Sequence, residues 1–95
     1  MTTTEPRQRA MRAVDLKMRA DGYVTAHEVA AALGANLSTV HRAIEAQTIP
    51  GRVVRGLGRY DRWYVAIGDY LARYPEGGPS TVRAALTALS RVVPG

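Results

Sequence analysis

Apolar residues recur at helical spacing in three successive stretches before any strand-like alternation begins. Met11, Val14 and Met18 give one apolar stripe to a first helix expected from about Glu5 to Ala20. Thr4 can cap that helix, Pro6 suits its first turn, and Gly22 can close it in a left-handed conformation. Thr25-Ala26-His27-Glu28 then has the form of a capping box, in which hydroxyl and carboxylate each satisfy the other residue's backbone amide. A second helix is therefore expected to start at Ala26, with Val29, Ala30 and Leu33 inward and Gly34 as its stop. Asn36 reads as the N-cap of a third helix, Leu37 to about Ala46, whose Val40, Ala43 and Ile44 point inward. The turn between the second and third helices is only about three residues, the length of a helix-turn-helix connection.

After Thr48-Ile49-Pro50-Gly51 the periodicity changes from helical to alternating, because proline ends the third helix. Arg52 to Arg55 and Arg62 to Val65 alternate apolar with charged or aromatic residues around the turn-like "GLGRYD", the mark of a hairpin. The period-two rule groups Val54, Trp63 and Val65 on the helix-facing side and leaves Val53, Arg55, Arg62 and Tyr64 on the other side or the edge. A short helix over "IGDYLARY" leads to the loop "PEGGPS". A last helix follows with Ser80 as its cap and Val82, Ala85, Leu86 and Leu89 as an apolar stripe. Three segments result: a basic N-terminal helix over 1–22, a central unit over 23–74, and a loop with an amphipathic helix over 75–95. Overall the pattern is mainly α with a small β-hairpin.

A chain of 95 residues with 46% hydrophobic content has room for one core, which excludes a large two-lobed enzyme. No cysteine is present, so neither disulfides nor thiolate metal sites are open to it. The polar N-terminus does not read as a signal peptide, and no apolar run reaches the roughly 20 residues needed to span a bilayer. A soluble, cytoplasmic protein is expected. The net charge of +5 points to a polyanionic partner, and its distribution is informative. Arg7, Arg9, Arg12, Lys17 and Arg19 outweigh Glu5 and Asp15, and Arg52, Arg55, Arg59 and Arg62 outweigh Asp61. Between these basic flanks, Arg42 stands alone against Glu28 and Glu45. His27 and His41 match no zinc-ligand spacing, and Gly56-Leu57-Gly58 lacks the helix and Lys-Ser/Thr of a phosphate loop. The chemistry points away from an enzyme, a metal site, a cofactor or a small-molecule substrate.

The run from Tyr23 to Tyr74 resembles the excisionase and MerR-like winged helix-turn-helix family. The resemblance is carried by Glu28, Val29, Ala30, Leu33, Gly34, Asn36, Thr39, Val40, Ile49, Pro50, Val54, Arg62, Trp63, Val65, Asp69 and Tyr70. It implies a winged helix-turn-helix with extra N- and C-terminal helices, and a non-catalytic DNA-binding role as a transcriptional regulator or excisionase-like architectural factor. The eight residues from Arg55 to Arg62 between Val54 and Trp63 imply a longer, more mobile wing than the family usually has.

On that reading the third helix enters the major groove of double-stranded DNA with Leu37, Ser38, His41, Arg42 and Glu45 outward. Arg42 can donate a bidentate pair to guanine, Ser38 and His41 can meet base or phosphate acceptors, and Leu37 can touch a thymine methyl. Thr25 and His27, at the start of the second helix, join the candidate contacts. Arg52, Arg55, Arg59 and Arg62, with Tyr60, are the candidates for backbone or minor-groove contact, because phosphate neutralisation supplies much of the affinity for DNA. Val82, Leu86 and Leu89 are expected either to fold back on the domain or to pair with a second copy as a homo-oligomer. The competing class is a protein-interaction or assembly adaptor, such as a small phage DNA-packaging subunit.

Overall fold

Eight elements follow one another along the chain: α1 (Pro6–Ala20), β1 (Tyr23–Thr25), α2 (Ala26–Leu33), α3 (Leu37–Glu45), β2 (Gly51–Leu57), β3 (Tyr60–Ala66), α4 (Ile67–Arg73) and α5 (Ser80–Ser90). The computed structural model describes residues 6–57, 60–75 and 77–93, with side chains over 13–55, 61–75 and 77–93. The expected cap Thr4, with Glu5, lies outside the described residues, as do the side chains of Arg7, Arg9, Met11 and Arg12. Among the described residues the domain is mixed α/β, five helices with one antiparallel sheet of order β1-β3-β2. None of the helices is long and apolar enough to cross a membrane.

Local chemistry explains the helix boundaries. The Thr25 hydroxyl accepts from the Glu28 amide at 3.2 Å, and the Glu28 carboxylate accepts from the Thr25 amide at 3.2 Å, closing the expected box at the start of α2. Gly34, at φ +65°, ends α2, and the Ala35 amide donates back to the Ala30 carbonyl at 3.0 Å. Asn36 occupies the N-cap position of α3 as expected, yet its side chain makes no capping hydrogen bond. At the other end of α3, Gln47 takes the left-handed conformation, φ 62°, in which glycine would be at ease. The amides of Gln47 and Thr48 then donate to the carbonyls of Ile44 and Ala43, which turns the chain sharply toward β2. Ser80 is the first residue of α5 rather than its cap; Pro79 holds that position and has no side-chain donor or acceptor to offer.

The hairpin is part of a larger sheet than the alternation alone predicts. Three residues, Tyr23 to Thr25, are too few to show a pattern, but they pair with β3 as Tyr23↔Ala66, Val24↔Val65 and Thr25↔Tyr64. The hairpin strands also run further than expected, to a Leu57↔Tyr60 pair, with a register irregularity between Val54 and Leu57. Most of the residues read as a long loop are therefore strand, and the connection between the strands, residues 58–59, lies outside the described residues. Registers correct the side assignment as well. Val53 lies opposite Trp63 and Val54 opposite Arg62, and residues directly opposite share a face. Val53, Trp63 and Val65 therefore form one side, and Arg52, Val54, Arg62 and Tyr64 the other.

The core sits between the Val65 side of the sheet and the helices. Val24, Val29, Val40, Val65, Ile67 and Leu86 are all essentially inaccessible and pack together with Ala26, Ala30, Ile44 and Ile49. Gly51 is required where β2 leaves α3, because a Cβ there would run into the Tyr64 carbonyl oxygen and crowd Ile44. Leu86 of α5 is fully buried, and Val82 and Leu89 pack on the same core as α5 lies against α2 and α4. Of the two expected uses of the Val82, Leu86 and Leu89 stripe, folding back is the one observed.

Candidate nucleic-acid interface

α3 presents its polar side to solvent because its apolar side is anchored. Val40 and Ile44 are buried, and Ala43 packs against the core, which leaves Ser38, Thr39, Arg42 and Glu45 exposed. The Arg42 side chain forms no hydrogen bond or ion pair with the described residues, so its five donors face water. Two residues expected outward are not free. Leu37 is half-buried and leans on the core, a consequence of α3 beginning directly at the turn from α2. His41 stacks on Trp63 of β3, with ring centroids 4.4 Å apart and planes 18° from parallel. Burial, then the nearby His27, lower the His41 pKa below its ordinary value, against a smaller opposing pull from Glu45.

At the start of α2, Thr25 and His27 have different fates. Thr25 is buried, and its hydroxyl both accepts from the Glu28 amide and donates to the Glu28 carboxylate at 3.0 Å, so it is a structural cap rather than a free contact. His27 is exposed. Glu28 also receives Arg19 of α1 at 2.9 and 3.1 Å, which ties the end of the first helix to the start of the second.

The arginines of the hairpin differ in what holds them. Arg62 donates to both oxygens of Asp15 on α1, at 3.1 and 2.7 Å, and the Tyr64 hydroxyl donates to the same carboxylate. Burial works to raise the Asp15 pKa, but the hydrogen bonds from Arg62 and Tyr64 outweigh it and hold the carboxyl below its ordinary value. Tyr64 is pushed well up by burial and by the carboxylate it donates to, and Arg62 is raised chiefly by its bond to Asp15. Arg62, expected among the DNA contacts, is thus a half-buried strut between α1 and the sheet. Arg55 remains highly exposed and only loosely paired with Asp61, at 3.5 Å. Asp61 and Trp63 alternate onto the same side of β3, so this pair lies on the α3 side of the sheet. Arg52 is exposed and lies 5.8 Å from the centre of the Tyr23 ring. Arg59 and the side chain of Tyr60 lie outside the described residues.

Sequence reasoning missed the Asp15 strut and the His41–Trp63 stack. Asp15 is the lone acid of a basic helix, a signal that a basic partner elsewhere was needed, but nothing local says which. Compared with protein-family models, curated proteins and solved structures, the chain finds no match. Geometry and residue chemistry therefore carry the functional reading.

Proposed function

We propose that this chain is a winged helix-turn-helix protein that binds duplex DNA without catalysing a reaction, with α3 in the major groove and the β2–β3 hairpin as a basic wing on the phosphate backbone. The observation that carries this reading is the anchored α3 with an exposed face of Ser38, Arg42 and Glu45, beside a hairpin whose Arg55 is exposed on the same side. An α-helix about 10 to 12 Å across with its side chains fits a groove about 12 Å wide, and the 9 residues of α3 run about 13 Å along it. Arg42 reads a guanine, and Ser38 a base or phosphate acceptor. Arg52, Arg55 and Arg59, with His27 at the start of α2, neutralise phosphates and set the register. A transcriptional regulator and an excisionase-like architectural factor both use this contact, and both work in the cytoplasm.

The test is a titration of duplex DNA against salt. With about four or five phosphates engaged, log K falls against log salt with a slope of about −4. A slope shallower than about −2 would sink the reading. Self-assembly with no retention of duplex at low salt would instead fit an adaptor, such as a small phage DNA-packaging subunit.

A further inference from the structure

We propose that His41 is a positioning residue that fixes the reading face of α3 to the hairpin through Trp63, and that duplex binding is coupled to protonation of its imidazole. The coupling rests on the DNA-binding reading above; the contact itself does not. His41 follows the first turn of α3 and lies one turn from both Ser38 and Glu45 on the helix surface, with Arg42 its immediate neighbour. Its ring lies nearly flat on the indole, 4.4 Å away, and is half-buried there. No other described contact between aromatic rings links α3 to the sheet, so the stack supplements the apolar packing of Val40 and Ile44 on the side of α3 nearest the exposed face.

The charges around this ring are few and can be named. His27 faces it from α2, Glu45 from the next turn of α3, and Arg42 lies beside it on the same helix. On the Trp63 side of the hairpin stand Arg55 and Asp61, loosely paired at 3.5 Å. In the free protein, burial and His27 keep His41 neutral to lower pH than an exposed histidine. A phosphate backbone laid along α3 brings negative charge close to this half-exposed ring, and an opposite charge favours the imidazolium. An imidazolium is also held by the negative face of the indole it already stacks on. Binding therefore takes up a proton. The sign follows: affinity is highest at pH values below the His41 pKa of the free protein, and the gain is lost as pH rises through the higher pKa of the complex.

Trp63 is the only tryptophan in the chain, so its emission reports on this contact, because a stacked imidazolium quenches indole fluorescence. The experiment records emission against pH for the free protein and for the protein saturated with duplex, together with duplex Kd at the same pH values, for the native chain, His41→Gln and His27→Gln. The expected result is a one-proton transition in the native chain and in His27→Gln, missing in His41→Gln, with its midpoint moved upward by duplex. The native Kd should tighten by up to about tenfold per pH unit as pH falls between the two midpoints, and the Kd of His41→Gln by less. No emission transition, or one that persists in His41→Gln, would overturn the contact as the reporter and positioning pair. A transition with the same midpoint in free and bound protein would overturn the coupling while salt-dependent duplex binding stands. Absence of duplex binding at every pH overturns the DNA reading and the coupling together.

Discussion

Arg62 and Arg55, on opposite sides of the hairpin, are held in opposite ways. On the α1 side, Arg62 is half-buried and held by both oxygens of Asp15, which also takes the Tyr64 hydroxyl. On the α3 side, Arg55 is highly exposed and touches Asp61 only at 3.5 Å. Sequence proximity points the wrong way, since Arg62 is next to Asp61 yet pairs with Asp15, while Arg55 is six residues from the Asp61 it meets. The difference comes from what covers each side. α1 lies on one side and brings a carboxylate with it, whereas the α3 side leaves Arg55 and Asp61 exposed. A net positive hairpin is therefore two things at once, a structural joint and a candidate phosphate contact.

Removing Asp15 should have the largest effect. Asp15→Ala leaves a half-buried guanidinium and a buried phenol without their acceptor, and unfolding free energy should drop by about 2 to 3 kcal/mol. Tyr64→Phe deletes one donor only and should cost about 1 kcal/mol. Denaturant unfolding measures both, and a loss below about 0.5 kcal/mol for Asp15→Ala would reduce the joint to a surface pair. The pH dependence follows from the directions of the shifts. The Asp15 pKa is held below 3.8, so its contribution is present above that value and is lost as pH falls through the lower folded-state value. The Tyr64 pKa is raised above 10.0, so its contribution is present below pH 10 and is lost as the solution is made more alkaline. Asp15→Ala should flatten the acid limb of the stability profile, while the alkaline limb keeps only the part due to burial of the phenol.

Arg42→Ala probes the exposed side without touching the joint. It should cost about 1 to 3 kcal/mol on a preferred duplex and flatten discrimination at one base pair, with stability changed by less than about 0.5 kcal/mol. Competition binding with single-base variants of a selected site checks this. An equal loss on every sequence would reassign Arg42 to the backbone.

What could be read from the sequence is what is decided within a turn of chain. The Thr25–Glu28 box and the Gly34 stop each involve partners a few residues apart, and the buried stripe of α3 follows from its period alone. What escaped is set by partners far along the chain. β1 exists only because β3 pairs with it, some forty residues later. Arg62 and Asp15 are 47 residues apart, so no window could connect them. The irregularity between Val54 and Leu57 exchanges the sides of Val53 and Val54, an error that period-two reasoning cannot detect because it assumes a regular partner. His41 is the instructive case at the candidate site. Helical spacing puts it outward, and only the position of Trp63 turns it sideways.

Both sides of the hairpin depend on the turn that feeds β2, and that turn is strained at one residue. Gln47 adopts φ 62° just past the end of α3, a conformation that costs a residue with a Cβ roughly 1 kcal/mol relative to glycine. Gln47 is exposed and its side chain makes no hydrogen bond to the described residues. Gln47→Gly should raise stability by up to about 0.5 kcal/mol, after the added freedom of glycine in the unfolded chain is subtracted. Thermal unfolding of the variant measures the gain, and duplex affinity should not move.

The smallest effect is the one that most directly opposes the two arginines, because it removes the acid from each in turn. Asp15 is part of the interior, so its loss harms the fold. Asp61 is exposed, and a loose surface ion pair contributes between 0 and about 1 kcal/mol to stability. Asp61→Asn should therefore leave unfolding free energy within about 0.5 kcal/mol of the native value. It also releases Arg55 from its only described partner and deletes a negative charge from the α3 side. If that side meets phosphates, duplex affinity should rise about two- to fourfold at low salt, and the gain should shrink as salt screens the charge. Asp61→Asn with Arg55→Ala should lose part of this gain, which separates the release of Arg55 from the simple change in net charge. Filter binding at two salt concentrations is enough to resolve the change. Weaker binding by Asp61→Asn would mean that Asp61 positions Arg55 rather than competing for it, and the two sides of the hairpin would then differ in degree and not in kind.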